Sequence, residues 1–132
     1  MARIVLVEDD DSVRSFVARA LERDGHEVTT AMDGGEGLDV LRERAHATDL
    51  LLTDIQMPVM DGIALALNVA REWPDLPIVL MTGYAHQRER AHGLESLICD
   101  VIQKPFTLAE ISKRVNAALE GSMSQEQSAL SA

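Results

Sequence analysis

The first residues that could do chemistry are four acids in a row, Glu8, Asp9, Asp10 and Asp11, which directly follow an apolar run at residues 4–7. Like charges about 4 Å apart repel each other by about 4 kcal/mol at an effective dielectric constant of about 20. Carboxylates clustered at the end of a buried strand are therefore stable only with a cation nearby. This acidic run predicts a metal site.

Later apolar runs also end in residues that could take part in chemistry, namely Asp54, Thr82, Gly83, Lys104 and Pro105. In an open parallel sheet the functional cleft lies beyond the carboxyl ends of the strands, so these residues are expected to converge with the acidic run. Carboxylate oxygens suit Mg2+, whereas zinc prefers histidine or cysteine. A carboxylate such as Asp54 can attack phosphorus and form an acyl phosphate when a metal and an ammonium neutralise the charge.

The elements that must position these residues are five apolar runs separated by segments of helical period, the pattern of a parallel sheet with crossover helices. The predicted strands cover residues 3–7, 26–31, 50–53, 78–81 and 98–102. The first, third and fourth are almost continuously apolar, as strands buried on both faces are, and are predicted to be central. We therefore predict an α/β fold, a (βα)5 doubly wound parallel sheet.

The helices differ in how clearly the sequence specifies them. The first is predicted from the stripe Val13, Phe16, Val17, Ala20 and Leu21, and the last begins at a capping box formed by Thr107 and Glu110. In the third helix a core stripe is predicted at Ile63, Ala66, Leu67 and Ala70. Its neighbouring arc of Leu65, Val69 and Trp73 is either buried as well or an exposed apolar patch for a partner.

Composition limits the possible functions. The 132 residues, 46% of them hydrophobic, suffice for one domain, predicted at residues 1–120, and the small polar residues of 121–132 predict a disordered tail. A net charge of −10 disfavours nucleic-acid binding. There is neither a signal peptide nor a membrane-spanning stretch, so we expect a cytoplasmic protein with no membrane partner. The single cysteine, Cys99, lies among apolar residues and is predicted to be packed.

The motifs at the strand ends resemble those of a response-regulator receiver domain of two-component signalling, over about residues 3–119. The stretches that carry the resemblance are Val7-Glu8-Asp9-Asp10, Thr53-Asp54-Ile55-Gln56-Met57-Pro58-Val59-Met60-Asp61-Gly62, Met81-Thr82-Gly83 and Gln103-Lys104-Pro105-Phe106. The resemblance implies the flavodoxin-like strand order 2-1-3-4-5. It also implies that Asp54 accepts a phosphoryl group from a histidine kinase or a histidine phosphotransferase.

The resemblance also assigns roles to the other residues of the site. It implies one Mg2+ held by Asp9, Asp54 and the main-chain carbonyl of Gln56, with Glu8 acting through a water. It implies that Thr82 and Lys104 contact the phosphoryl oxygens. It further implies a cis peptide bond between Lys104 and Pro105, the conformation that proline alone adopts at modest cost.

Three positions bear on how closely this chain follows the family pattern. An aromatic residue often precedes the lysine by three positions, and this chain has Val101 there. Tyr84 is either a substitute switch residue or a plain exposed tyrosine. Gln56 stands where a side chain can orient or block the hydrolytic water, so it is expected to affect the phosphate lifetime in a direction the sequence leaves open.

With no effector domain in the sequence, the expected output is a protein contact. The stretches at residues 61–67 and 81–94 are most similar to the CpdR-type single-domain receivers of alphaproteobacteria. That similarity implies a cell-cycle adaptor for the ClpXP protease, which binds the ClpX unfoldase when Asp54 is unphosphorylated. The alternatives are a phosphorelay intermediate and a single-domain receiver that controls a motor or kinase.

An enzyme is the alternative from another class. A flavodoxin-like electron carrier requires a hydroxyl-rich phosphate loop after the first strand, where the acidic run would repel phosphate. An aspartate-nucleophile phosphatase requires a second aspartate two residues after the nucleophile, where Gln56 stands. We therefore expect no enzymatic activity beyond the chain's own phosphoryl transfer and autodephosphorylation.

Overall fold

The fold consists of a parallel sheet covered by helices on both faces. A computed structural model describes residues 1–44, 47–83, 92–94 and 96–131. The strands are β1 (Arg3–Val7), β2 (Glu27–Ala31), β3 (Leu50–Asp54), β4 (Ile78–Thr82) and β5 (Asp100–Gln103). The helices are α1 (Asp11–Arg23), α2 (Gly34–Glu43), α3 (Gly62–Glu72) and α4 (Leu108–Ser131), and a 3₁₀ turn spans His92–Leu94.

The five strands are parallel and lie in the order β2-β1-β3-β4-β5, which confirms the predicted fold and strand order. β3 and β4 are buried along their whole length, in agreement with their continuous apolar sequences. Because the strands are parallel, all five carboxyl ends lie at one edge of the sheet. The register pairs Asp54 with Met81 and Thr82 with Gln103, which brings the ends of β3, β4 and β5 to one level.

Alternate strand residues point to opposite faces and form two cores. On one face Leu6, Leu52 and Met81 pack with α1 and α4. On the other face Val5, Leu51 and Leu80 pack with α2 and α3. These two cores hold the carboxyl ends of the strands in fixed positions relative to one another.

Polar caps begin the helices that leave this edge. Asp10 is the N-cap of α1 and accepts hydrogen bonds from the amides of Ser12 and Val13. Asp33 and Asp61 cap α2 and α3 in the same way. A capping carboxylate satisfies amides that have no partner within the helix, so each cap fixes the point where its helix starts.

The buried face of α3 is shifted by one position along the sequence from the predicted stripe. Leu65, Ala66 and Val69 are fully buried, whereas Leu67, predicted in the core, is 43% exposed. A Cβ on Gly62 would lie only 2.1 Å from the carbonyl oxygen of Asp54, so this glycine packs directly on the end of β3. That contact sets the rotation of the helix and buries the residues three, four and seven positions later.

Three further predictions differ from the structure. β5 begins at Asp100 rather than at residue 98, and Cys99 is exposed, because the preceding amides of Leu97 and Ile98 bond back to Leu94 in a turn. Phe16, predicted in the core stripe of α1, is 42% exposed.

Residues 121–131 continue α4 as a helix. The division of the chain into a domain at residues 1–120 and a tail at residues 121–132 stays a prediction. Among the described residues, no helix combines the length and the apolar character needed to cross a membrane.

Candidate functional site

Glu8 and Lys104 form an ion pair at the centre of the carboxyl edge. The Nζ of Lys104 donates a hydrogen bond of 2.7 Å to Oε1 of Glu8, although the two residues are 96 positions apart in sequence. Glu8 is completely buried, and the side chain of Lys104 is 23% exposed. The end of β1 therefore presents an acid that reaches the residue just after β5.

Asp54, the last residue of β3, joins this pair. Its Oδ1 lies 3.3 Å from the Nζ of Lys104 and accepts a hydrogen bond of 3.0 Å from the amide of Ile55. The residue is only 5% exposed. Its carboxylate is thus held in one orientation at the floor of a cleft.

The cleft itself is open and has a volume of about 780 Å³. Glu8, Asp9, Asp54, Gln56 and Lys104 line it, together with Gly83 and Pro105. Asp9 is exposed, and one carboxylate oxygen from each of Glu8, Asp9 and Asp54 lies within 4.8 Å of the others. The sequence prediction that these carboxylates converge with the lysine therefore agrees with the structure.

The donor atoms of this cluster fit a hard divalent cation. All three carboxylates supply oxygen, and no histidine or cysteine is among the described residues that line the cleft. Mg2+ binds through one or two carboxylates and retains several waters, for which an open cleft leaves room. The residues present therefore suit Mg2+ and not zinc.

The remaining residues predicted for the site have different environments. Thr82 ends β4 fully buried, and its carbonyl accepts the amide hydrogen of Lys104 at 2.7 Å. The Lys104–Pro105 peptide bond is cis. Val101 is partly buried on β5 and packs against the core that contains Leu80. Tyr84 lies outside the described residues.

The environment of the site raises the pKa values of two of its carboxylic acids, Glu8 and Asp54. Burial raises the pKa of Glu8 from 4.5 to about 7, although the hydrogen bond from Lys104 acts in the opposite direction. Burial also raises the pKa of Asp54, and Lys104 again opposes this shift. Burial alone would lower the pKa of Lys104, but Glu8 and Asp54 together raise it. One ammonium therefore only partly compensates two buried carboxylates.

The raised pKa of Glu8 predicts that the metal-free protein loses stability as pH rises. The folded state binds more protons than the unfolded chain between pH 4.5 and about 7, so the free energy of unfolding falls through this window. The direction for Asp54 is the same. Urea unfolding in the absence of metal should therefore give a lower stability at pH 8 than at pH 5.

A matched pair of variants separates this effect from the general acidity of the chain. Glu8→Gln should flatten the pH dependence, whereas Glu22→Gln, which removes an exposed acid of α1, should leave it nearly unchanged. Adding Mg2+ at pH 8 should raise the free energy of unfolding of the wild-type protein, because a cation favours the ionised carboxylates of the folded state. A pH profile of Glu8→Gln as steep as that of the wild type would contradict the assignment.

Sequence reasoning missed two features, one beside the cleft and one in its wall. One is Arg14 of α1, whose guanidinium contacts the carbonyl of Glu8 and the carboxylate of Asp11. The spacing of Asp11 and Arg14 by three positions on a helix could have indicated their pairing. The other is an apolar wall of Phe16 and Phe106, whose ring centroids lie 6.4 Å apart.

Comparisons with known proteins agree with this geometry. A family model of the response regulator receiver domain matches residues 4–116. The transcriptional regulatory protein PrrA of Mycobacterium tuberculosis is 36% identical over 117 residues, which are 89% of this chain and 49% of that protein. The response regulator MprA of Mycobacterium avium is 36% identical, again over 89% of this chain and 50% of that protein. The chain thus spans about half the length of these curated relatives.

Solved structures give the same result. The crystal structure of NtrX from Brucella abortus matches with a TM-score of 0.87 and 31% identity, over 98% of this chain and 29% of that chain. The response regulator receiver domain protein from Clostridium thermocellum matches with a TM-score of 0.86, over 93% of this chain and 98% of that chain. At 24% identity the latter match supports the fold alone. The chain therefore belongs to the response regulator receiver domain family of two-component systems.

Proposed function

We propose that this chain is a phosphorylation switch that accepts a phosphoryl group on Asp54. The observation that carries the proposal is the convergence of Glu8, Asp9 and Asp54 with the ammonium of Lys104 in one open cleft. Carboxylates alone would repel a phosphoryl donor. A carboxylate nucleophile beside an ammonium and a cation site can receive one.

The transfer is an in-line displacement at phosphorus. A carboxylate oxygen of Asp54 forms the new bond to phosphorus while the bond from phosphorus to the donor atom breaks, and the leaving group departs with the electron pair. Lys104 neutralises part of the charge on the transferring oxygens. Attack of water on the acyl phosphate later releases phosphate and restores Asp54, a step that the exposed Gln56 is placed to influence. No other enzymatic activity is proposed.

The proposed cofactor is one Mg2+. Asp9, Asp54 and the main-chain carbonyl of Gln56 would hold it, with Glu8 acting through a water. When bound, the ion neutralises charge on the phosphoryl oxygens. It also offsets the repulsion among the carboxylates, of which Glu8 and Asp54 have raised pKa values.

Signalling requires a second state of the domain. We propose that Thr82 and Lys104 contact the phosphoryl oxygens and that the phosphorylated chain shifts a pre-existing conformational equilibrium. The support is positional, because Thr82 ends β4 and its carbonyl is already bonded to Lys104. Val101 has no aromatic ring, so a rotamer switch of the usual kind is absent at this position. Tyr84 is proposed as a substitute switch residue, with a plain exposed tyrosine as the alternative.

Intact-mass analysis tests the central proposal. With acetyl phosphate and Mg2+ the wild type should gain the mass of one phosphoryl group, and Asp54→Ala should gain none. Asp39→Asn, which removes an exposed acid of α2, serves as the matched control and should be labelled like the wild type. A wild type that stays unmodified under conditions that label other receivers would overturn the proposal.

We further propose that the phosphoryl donor is a histidine kinase or histidine phosphotransferase, and that the output is an adaptor contact with the ClpX unfoldase of ClpXP. The support is the resemblance of residues 61–67 and 81–94 to CpdR-type receivers. The net charge of −10 over the 132 residues also argues against direct contact between this chain and DNA. A phosphorelay role and control of a motor or kinase are the competing outputs.

A pull-down with ClpX separates these outputs. Asp54→Ala should bind, and the wild type should lose binding when beryllofluoride and Mg2+ are added. Absence of binding in both states would overturn the adaptor proposal and leave the phosphorylation switch untouched.

A further inference from the structure

We infer that Arg14 is a positioning residue for the proposed metal site, because its guanidinium fixes the peptide group that precedes Asp9. This inference rests on the proposed function, since it concerns how the cation site at Asp54 is kept in order. None of the roles described above involves Arg14. Its guanidinium nevertheless contacts two members of the acidic run, Glu8 and Asp11.

The geometry links α1 to the loop that follows β1. Nη1 of Arg14 donates a hydrogen bond of 2.9 Å to the carbonyl oxygen of Glu8. That oxygen belongs to the planar peptide unit between Glu8 and Asp9, so holding it also fixes the direction of the Asp9 amide and Cα. Nη2 pairs with the carboxylate of Asp11 on the other side of the loop. One planar side chain therefore bridges the residues on either side of Asp9 and Asp10.

The surroundings of Arg14 differ from those of an ordinary surface ion pair. Its side chain is only 17% exposed, whereas that of its partner Asp11 is 85% exposed. The planar guanidinium of this partly buried side chain presents a fixed fork of donors, and here the fork meets two acceptors. Exposed ion pairs between neighbouring helix residues contribute little, so the contact with the Glu8 carbonyl is the distinctive one.

The other members of the acidic run are already constrained. Asp10 caps α1 through its side chain, and its amide donates a hydrogen bond of 3.2 Å to Oε2 of Glu8. Glu8 is buried against Lys104. Asp9 is exposed, and it is the member whose placement depends on the backbone that Arg14 holds.

Charge and geometry make opposite predictions for the removal of Arg14. If the guanidinium acted only by its charge, a neutral residue would strengthen cation binding, because a nearby positive charge repels a divalent ion. If it positions the loop, the same change weakens binding. Outer groups that orient metal ligands typically cost about 10-fold to 100-fold in affinity when removed, and we expect about 10-fold here because water can replace part of the contact.

The test is a direct titration of the protein with Mn2+ as the probe. The electron paramagnetic resonance signal of the free ion measures how much Mn2+ remains unbound. Arg14→Met should bind Mn2+ about 10-fold more weakly than the wild type. Arg14→Lys keeps the charge, but a single ammonium cannot reproduce the forked contact, so it should be weakened to a similar extent. Arg19→Met removes an exposed arginine from the same helix and should bind at least as tightly as the wild type.

Two results would overturn the inference. One is unchanged or tighter binding by Arg14→Met, and the other is full recovery by Arg14→Lys, which would reduce the role to charge. Thermal unfolding of each variant checks that it is folded. If Arg14→Met does not fold, the Mn2+ affinity of Arg14→Lys decides between positioning and charge. A wild type that binds no Mn2+ would instead contradict the proposed metal site itself.

Discussion

Replacing Lys104 by methionine should slow phosphoryl transfer to Asp54 by on the order of 10²-fold to 10³-fold, the usual cost of removing one group aimed at charge that develops in the transition state. Lys104 is the one cation among the described residues that line the cleft. It lies 2.7 Å from Glu8 and 3.3 Å from Asp54, so both acids lose their partner together.

The loss acts on the nucleophile as well as on the phosphoryl group. Lys104 opposes the effect of burial on the pKa of Asp54, so its removal should raise that pKa further and disfavour the ionised nucleophile. Higher pH should recover this part of the loss, whereas the missing contact to the phosphoryl oxygens should persist. The rate of acyl phosphate formation, measured from pH 6 to pH 9 with saturating Mg2+, separates the two contributions.

The chain offers a matched control, because it contains only one other lysine, Lys113. This residue is exposed on α4, so Lys113→Met makes the same change in net charge away from the cleft. It should be phosphorylated at the wild-type rate. If Lys104→Met is phosphorylated at the wild-type rate as well, the metal alone neutralises the charge on the phosphoryl group and the assigned role of Lys104 is wrong.

The substitution Gly62→Ala should lower the free energy of unfolding by about 1–3 kcal/mol, because it forces an atom into a packed contact. The added Cβ would lie 2.1 Å from the carbonyl oxygen of Asp54 and 2.8 Å from the Cα of Ile55. Both obstacles are backbone atoms, which cannot turn aside as a flexible side chain could. The amide of Gly62 also donates to Ile55 at 2.7 Å, so the close approach is built into the loop.

This substitution should also impair phosphorylation in the molecules that do fold, because the displaced atoms belong to the proposed phosphoacceptor Asp54 and to the residue that follows it. Urea unfolding measures the first effect, and the phosphorylation rate below the transition measures the second. Gly121→Ala is the control, since a Cβ there meets nothing within 4 Å and the residue lies within α4. That variant should be as stable as the wild type or slightly more so.

The sequence was sufficient to predict which residues meet at the site. Parallel strands end at the same edge of a sheet, so the prediction that Glu8, Asp54 and Lys104 converge required only the strands and their order. The predicted ends of β1 and β2 agree with the structure, and those of β3, β4 and β5 differ from it by one residue. Such a difference does not change which residues meet, because the side chains at the carboxyl edge are close together.

Features that depend on packing could not be predicted in the same way. Residues 62–72 are apolar on nearly every face, so their pattern did not determine the rotation of α3, which the contact of Gly62 with β3 sets. The role of Arg14 depends on the path of the loop after β1, and the exposure of Cys99 depends on a turn before β5. Hydrophobic periodicity carries no information about either loop.

The ion pair between Glu8 and Lys104 has a consequence for the order of events during folding. It joins residues 96 positions apart that follow strands with two others between them in the sheet. Contacts of such long sequence separation form late, since closing the intervening loop must be compensated by structure already present. If Asp54 accepts a phosphoryl group as proposed, a chain whose last strand has not yet docked would lack the ammonium of Lys104 beside that carboxylate. Phosphorylation would then depend on completion of the sheet.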